Sequence, residues 1–192
     1  MEDNEVFDKV EQPVMEEPEE VSFGDVSDNI KFDVQLTPED TDKVFEIATV
    51  EMRKPILIDA NGNEVEPKHS KKDPKKVYYQ TKLVVTFKDS NYAAILPNIK
   101  WFKQLVQENG KTIALYKPWF NTNVTEKDLS NKQVSEVSKT FYRYCKAKKL
   151  DVKKVTQKQF LTGLVGSKVK LVSESGTYDG RDYTVLKIRE FV

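Results

Sequence analysis

From Val77 to Lys88 the chain changes side at every residue. Val77, Tyr79, Thr81, Leu83, Val85 and Phe87 fall on one face, and Tyr78, Gln80, Lys82, Val84, Thr86 and Lys88 on the other. Successive side chains of a strand point to opposite sides of a sheet, so a period of two defines a strand with one buried face. The first set is expected to be core. Upstream, Val44, Phe45, Ile47, Val50 and Met52 form a β-branched and aromatic run that ends before Pro55, which suits a first strand. Between these strands, Ile56-Leu57-Ile58 and Val65 flank Asp59-Ala60-Asn61-Gly62. Asn-Gly is a hairpin signal because both residues tolerate positive φ, so a small ribbon is expected to project here. A short third strand follows at Tyr92 to Leu96.

Beyond it the pattern turns helical. Pro97 can open a helix at its first turn, and Ile99, Phe102, Leu105 and Val106 recur at helical spacing until Asn109-Gly110. Ile113 to Tyr116 reads as a brief strand. Ser130 with Gln133 forms a capping-box pattern, and Val134, Val137, Phe141, Tyr144, Cys145 and Lys148 make an amphipathic stripe, predicting a helix over 131–149. Thr156 with Gln159 repeats the cap and introduces a short helix through Phe160, Leu161 and Leu164 that ends near Gly166. Two strands close the chain, Lys168 to Ser173 and Asp182 to Phe191, joined through residues 174–181. No repeat of roughly 20 to 50 residues is visible, which excludes solenoids and propellers. The expected class is α+β, mainly β. Three strands, a helical insertion over 97–166 and two strands match a five-stranded OB-type Greek-key barrel, with the insertion between its third and fourth strands.

The formal net charge of zero conceals a segregation of sign. Of the 31 acids, 11 lie ahead of Ile30, with only Lys9 of the 31 bases, so the remainder carries 30 bases and 20 acids. Residues 1–30 also hold Pro13 and Pro18 and few large apolar side chains. Such a segment cannot bury enough surface to offset its ordering entropy and is expected to be disordered. A folded domain is expected over 31–192, with the hairpin and a lysine-rich loop over 55–76. No apolar run approaches the roughly 18 residues of a bilayer span. The beginning of the chain is acidic where a secretory signal would be basic and then apolar. The reading is therefore a soluble cytoplasmic protein (host cytoplasm if viral) with no membrane partner.

Catalytic chemistry finds little to build on. His69 is the single histidine and stands in the lysine-rich loop, while Cys145, the single cysteine, falls on the apolar stripe of the second predicted helix. Neither a disulfide nor a four-ligand zinc site follows from such a set. Gly163-Leu164-Val165-Gly166-Ser167-Lys168 lacks the spacing of a phosphate loop and a preceding strand, and a strand rather than a helix follows it. No enzyme, metal or cofactor is expected.

What does stand out is lysine interleaved with aromatic residues. Single-stranded nucleic acid is held by phosphates meeting a positive groove and by bases stacking on rings, and OB barrels place both on strands two and three and in the neighbouring loops. In this chain those positions carry Lys68, Lys71, Lys72, Lys75 and Lys76 in the loop, Tyr78, Lys82 and Lys88 on the outer face of the second strand, and Tyr92 at the third. Tyr178 and Arg181 follow strand four, and Tyr183, Lys187 and Arg189 lie on the last strand. Tyr78 and Tyr183 have an alternative use in packing against the insertion. Trp101, Phe102, Trp119 and Phe120 are assigned to the core or to packing within the insertion, by the usual burial of such side chains.

Several segments also resemble phage-type single-stranded DNA-binding proteins. These are Val77-Tyr78-Tyr79-Gln80-Thr81-Lys82-Leu83-Val84-Val85-Thr86-Phe87, then Leu96-Pro97-Asn98-Ile99-Lys100-Trp101-Phe102, then Phe160-Leu161-Thr162-Gly163-Leu164-Val165-Gly166 running into Lys168-Val169-Lys170-Leu171, and finally Tyr178-Asp179-Gly180-Arg181-Asp182-Tyr183. The likeness spans residues 44–192 in order. It implies an OB fold that coats exposed single strands of DNA during replication or recombination, with RNA as an alternative ligand. In those families the acidic tail stands at the C terminus and recruits replication partners. Here it is N-terminal, and its expected partners are replication proteins or the basic face of its own body. The competing reading is a protein-interaction module, such as a viral structural or adaptor subunit, whose ribbon at Ile56 to Val65 adds to a partner's sheet edge.

Overall fold

The computed structural model describes residues 35–192 apart from Lys72 and Asp179, together with Ser22 and Phe23; the side chains of Ser22, Phe23, Tyr178 and Arg181 lie outside it. The remaining residues of the segment 1–30, expected above to be disordered, are likewise outside the described residues. Eight strands are described: β1 (Ser22–Phe23), β2 (Val44–Met52), β3 (Lys68–His69), β4 (Val77–Phe87), β5 (Ala93–Glu108), β6 (Lys111–Trp119), β7 (Lys168–Tyr178) and β8 (Arg181–Phe191). Two α-helices, α1 (Glu136–Ala147) and α2 (Gln157–Leu164), lie between β6 and β7. The chain is α+β and mainly β, as its alternating segments imply.

Five of the strands pair in a ring. β2 is antiparallel to β4 on one side and to β7 on the other. β4 pairs with β5, and β7 with β8. β8 then returns to β5 in parallel through Ala94 and Leu186. Outside the ring β1 adds to β2, β3 to β4 and β6 to β5.

The interior follows from side-chain parity, corrected at two bulges. In β2 the buried positions move from Phe45 and Ile47 to Val50, because the pairing with β4 slips between Ile47 and Thr49. In β5 they move from Ala94 and Leu96 to Ile99 and Trp101, because the register slips where Thr81 faces Ile99 but Lys82 faces Pro97. An extra residue in one strand reverses which face every later side chain takes. In β4, Leu83, Val85 and Phe87 are buried as the alternation predicts, and Val84 on the other face is buried as well.

The helix expected from Pro97 does not form; β5 runs through it as a strand of 16 residues. The spacing of Ile99, Phe102, Leu105 and Val106 fits a helix, but Ile99 and Trp101 also alternate, and β4 offers a long partner. Pro97 has no N–H, and Asn98 takes φ 73°, so the Pro-Asn pair makes a bulge rather than a first helical turn. Asn109 and Gly110 at φ 49° and 76° form the two-residue turn between Glu108 and Lys111, with the paired positive φ of a type I′ hairpin. The brief strand expected at Ile113 to Tyr116 thus becomes β6. The predicted insertion over 97–166 is a β-hairpin followed by helices.

The second predicted helix begins later than its sequence cap. Ser130 closes a 3-10 turn over Glu126–Ser130, whose own capping box joins Thr125 and Asp128. Asn131 accepts the Gln133 N–H at 2.9 Å in a local turn, and α1 starts after Ser135. The cap at Thr156 and Gln159 holds as predicted. At the Asn61-Gly62 turn, Asp59 accepts the N–H groups of Asn61 and Asn63 at 2.8 and 2.9 Å, and the ribbon forms as a short antiparallel bridge between Ile58 and Glu64, with Val65 N–H donating to the Leu57 carbonyl and Asp59 N–H to the Asn63 carbonyl, each at 2.8 Å.

The helices cover the ring with an aromatic cluster. α1 packs on β5 and β8, and α2 on β2. Phe120, Phe141 and Phe160 meet edge to face at centroid distances of 5.3 to 6.0 Å, and Tyr144 leans on Phe160 and Phe191. Tyr144 reaches Gly163 so closely that an added Cβ would stand 2.0 Å from its hydroxyl oxygen and 2.9 Å from the ring carbon bearing it. The ring is held among other rings and has little room to retreat. Gly163→Ala should therefore destabilise the fold by about 1 to 3 kcal/mol through overpacking, read as a lower thermal midpoint. Tyr144→Phe in the same chain should restore part of the loss.

Candidate nucleic-acid interface

Residues directly opposite across an antiparallel pair share a face of the sheet. Lys68 faces Tyr78, Tyr78 faces Phe102, and Phe102 faces Lys117; one step along, Gln80 faces Lys100 and Lys100 faces Trp119. All seven side chains therefore lie on the outward face of β3, β4, β5 and β6, opposite the parity of the buried Ile99 and Trp101. The rings of Tyr78 and Phe102 are 5.5 Å apart and those of Phe102 and Trp119 are 6.1 Å apart, a ladder across three strands. Trp119 keeps 46% of its surface exposed, whereas Tyr78 and Phe102 are half-buried. The Lys100 ammonium lies 4.7 Å from the centroid of the Tyr78 ring, where the negative π face attracts it.

A groove of about 800 Å³ adjoins this ladder and is lined by Arg53, Lys54, Lys68, Tyr78, Lys82 and the Pro97-Asn98 bulge, among others. Its wall is organised by a polar relay. Lys68 Nζ donates to Gln80 Oε1 at 2.7 Å, and Gln80 Nε2 donates to Asn98 Oδ1. Arg53 is steadied by Glu51 at 2.8 Å. The lysine-rich loop begins at β3 beside Tyr78, and it is shaped by backbone bonds. Ser70 N–H donates to the Lys76 carbonyl and Lys76 N–H to the Asp73 carbonyl, each at 2.9 Å. His69 Nδ1 stands 2.9 Å from the Pro74 carbonyl oxygen, a contact that fixes the turn. Lys71, Lys75 and Lys76 are exposed, Lys76 standing 4.0 Å from Asp73; Lys72 lies outside the described residues.

The other predicted site residues are placed elsewhere. Lys88 sits at the far end of β4 in an ion pair with Glu46, and that bond holds the Glu46 carboxyl below its ordinary range. Tyr92 is a strut rather than a platform: its hydroxyl donates to Asp40 Oδ2 at 2.8 Å and its ring stands edge-on to Phe45 at 5.8 Å. The same hydroxyl is the main cause of a lowered Asp40 pKa. Lys187 is taken by Glu174 at 2.5 Å and Glu136 at 3.8 Å, and Arg189 by Asp42 at 3.1 Å. Tyr183 is exposed on β8 with its ring over Gly176, where a Cβ would meet the hydroxyl at 2.6 Å. Tyr178 and Arg181 were expected in the connection over 174–181; their backbones instead pair at the ends of β7 and β8, and their side chains are outside the described residues.

Phe102 and Trp119, assigned from sequence to packing, thus join Tyr78 on the outer face, and Lys100 and Lys117 went unnoticed. Their signal was the Asn109-Gly110 pair: read as a hairpin turn, it puts both flanking segments into alternation and turns these four residues to one side. Trp101 and Phe120 are core as expected.

Among the described residues there is no group of three or more side chains suited to a metal ion. Cys145 is fully buried, and burial pushes its thiol up to about 11. A thiol at that value is protonated at neutral pH and unreactive. Cys145 should accordingly resist a thiol-specific chromogenic reagent at mildly alkaline pH until the chain is unfolded by denaturant, a contrast followed by absorbance. No family model, curated protein or solved structure matches the chain.

Proposed function

We propose that this protein binds single-stranded nucleic acid, DNA in the first instance, with little regard to sequence and without enzymatic activity. The observation that carries the reading is the ladder of Tyr78, Phe102 and Trp119 across three strands, interleaved with Lys68, Lys100 and Lys117 and bordering a basic groove. Every base has a π face, so such a ladder is tolerant of sequence, while lysines set between the rings meet successive phosphates. An OB-type barrel is supported by the ring of β2, β4, β5, β8 and β7, the parallel β5–β8 closure, and the helices between β5 and β7. On this reading the protein coats exposed strands in phage replication or recombination, as the sequence resemblance suggests.

The two contributions separate experimentally. In titrations of labelled oligothymidylate, Trp119→Ala should weaken binding by about 1 to 3 kcal/mol with the salt dependence kept. Replacing Lys68, Lys100 and Lys117 by Gln should lower the slope of log affinity against log salt by about 0.7 per lysine. Wild-type affinity that is unresponsive to salt, or a Trp119→Ala chain that binds as tightly as wild type, would remove this face from the mechanism. Duplex DNA and RNA in the same titration establish the preferred ligand.

The acidic N-terminal segment fits as a competitor for the same face. β1 sets Ser22 opposite Glu51, two residues before Arg53 on the groove's rim, and the 21 residues ahead of Ser22 hold nine acids and one base. Deleting residues 2–20 should tighten oligonucleotide binding, most at low ionic strength where screening is weak. Equal or looser binding would exclude the competition.

The protein-interaction reading draws on Ile56 and Ile58, which leave 70% and 61% of their surface exposed. It gains if oligothymidylate is not retarded even at about tens of micromolar protein, weaker than nonspecific binding usually is.

A further inference from the structure

β5 and β8 pair only through Ala94 and Leu186. Away from that pair lies an open groove of about 910 Å³, bounded by β5, the β7–β8 ribbon and the segment leading into α1. It adjoins the groove beside the aromatic ladder, since Pro97 and Asn98 line both. Both residues are exposed, so the bulge of β5 is the boundary that the two grooves share.

The charges of this second groove are mostly matched internally. Glu136 is bound by Arg143 at 2.6 Å and approached by Lys187 at 3.8 Å, Glu174 is bound by Lys187, and Arg189 is bound by Asp42. Arg143 also donates to the Ile188 carbonyl at 3.1 Å, which fixes α1 against β8. Lys139 is different. It is nine-tenths buried, with 9% of its surface exposed, it lines the groove, and no described carboxylate stands within salt-bridge distance of it. A lysine held this way, with its stem packed and its amine without a counter-charge, suits an anion supplied from outside.

We infer that the second groove takes a phosphate of the same polynucleotide strand that lies on the aromatic face, the strand crossing β5 at the Pro97-Asn98 bulge and its backbone meeting Lys139. The inference rests on the proposed single-strand binding and extends the track to a part of the molecule that contributes no stacking ring of the ladder. Lys139 there neutralises a phosphate and supplies no base recognition.

The test uses the full chain with oligothymidylates of graded length. Lys139→Met keeps the packed stem and removes the charge. With long oligomers this variant should show a salt slope smaller by about 0.7 and an affinity lower by several-fold. With oligomers only long enough to cover the ladder it should match wild type, and Lys139→Arg should restore the slope. Independently of any variant, acetylation of the wild-type chain read by mass spectrometry should show Lys139 protected by long oligomers and not by short ones. Equal slopes for Lys139→Met and wild type at every length, or Lys139 acetylated equally with and without long oligomer, would overturn the second groove's role while leaving the ladder intact. Failure of wild type to bind any oligomer would overturn both readings together.

Discussion

The bulge at Pro97 and Asn98 is the constraint on which the arrangement of this molecule depends. A strand of unbroken parity that buried Leu96 would also have buried Asn98, Lys100 and Phe102 and turned Ile99 and Trp101 outward. The extra residue reverses that outcome, so that Ile99 and Trp101 enter the core while Lys100 and Phe102 face solvent. Asn98 absorbs the local cost by taking a left-handed conformation, which asparagine tolerates better than most residues. Its side chain accepts from Gln80, so one residue both makes the kink and ties the groove wall to β4.

Burial on the inside and exposure on the outside are thus two results of the same register. Trp101 is locked by donating its indole N–H to the Thr81 hydroxyl at 2.7 Å, and Tyr79 donates to the Val65 carbonyl at 3.1 Å. These bonds satisfy polar groups that would be costly to bury unpaired. The Trp101 bond also pins β5 against β4 directly beneath the ladder, and the Tyr79 bond ties β4 to the segment ahead of β3. The phenylalanine cluster of the helices serves the ring from another direction and leaves the outward face of β4 to β6 uncovered.

Much of the architecture was legible in the chain. The bounds of β2 and β4, the amphipathic stripe of α1 and the cap of α2 followed from local pattern, because each has a single period and a clear stop. Residues 97–119 were not, since Ile99, Phe102, Leu105 and Val106 satisfy a helical period while their neighbours satisfy a strand period. The decision lies in long-range pairing with Tyr78 to Thr86, which no local window contains. The candidate site suffered accordingly. Tyr78 and Lys82 sit where the alternation of β4 places them, and Lys68 is brought beside Tyr78 by the pairing of β3, but Phe102 and Trp119 were assigned to packing because large aromatic side chains are usually buried. Lys88, Lys187 and Arg189 could be recognised as exposed cations, yet their acidic partners come from residues 42, 46, 136 and 174 and are visible only in three dimensions.

The meeting of β5 and β8 at one residue pair has a mechanical meaning. Four seams of the ring are sewn by runs of backbone bonds and the fifth by a single stitch, so thermal breathing concentrates along that slit. The stitch itself, Ala94 and Leu186, is buried, so the seam is closed over the core at that point. A chain lying across it would act as a suture, stiffening the cylinder without altering any of its packed contacts.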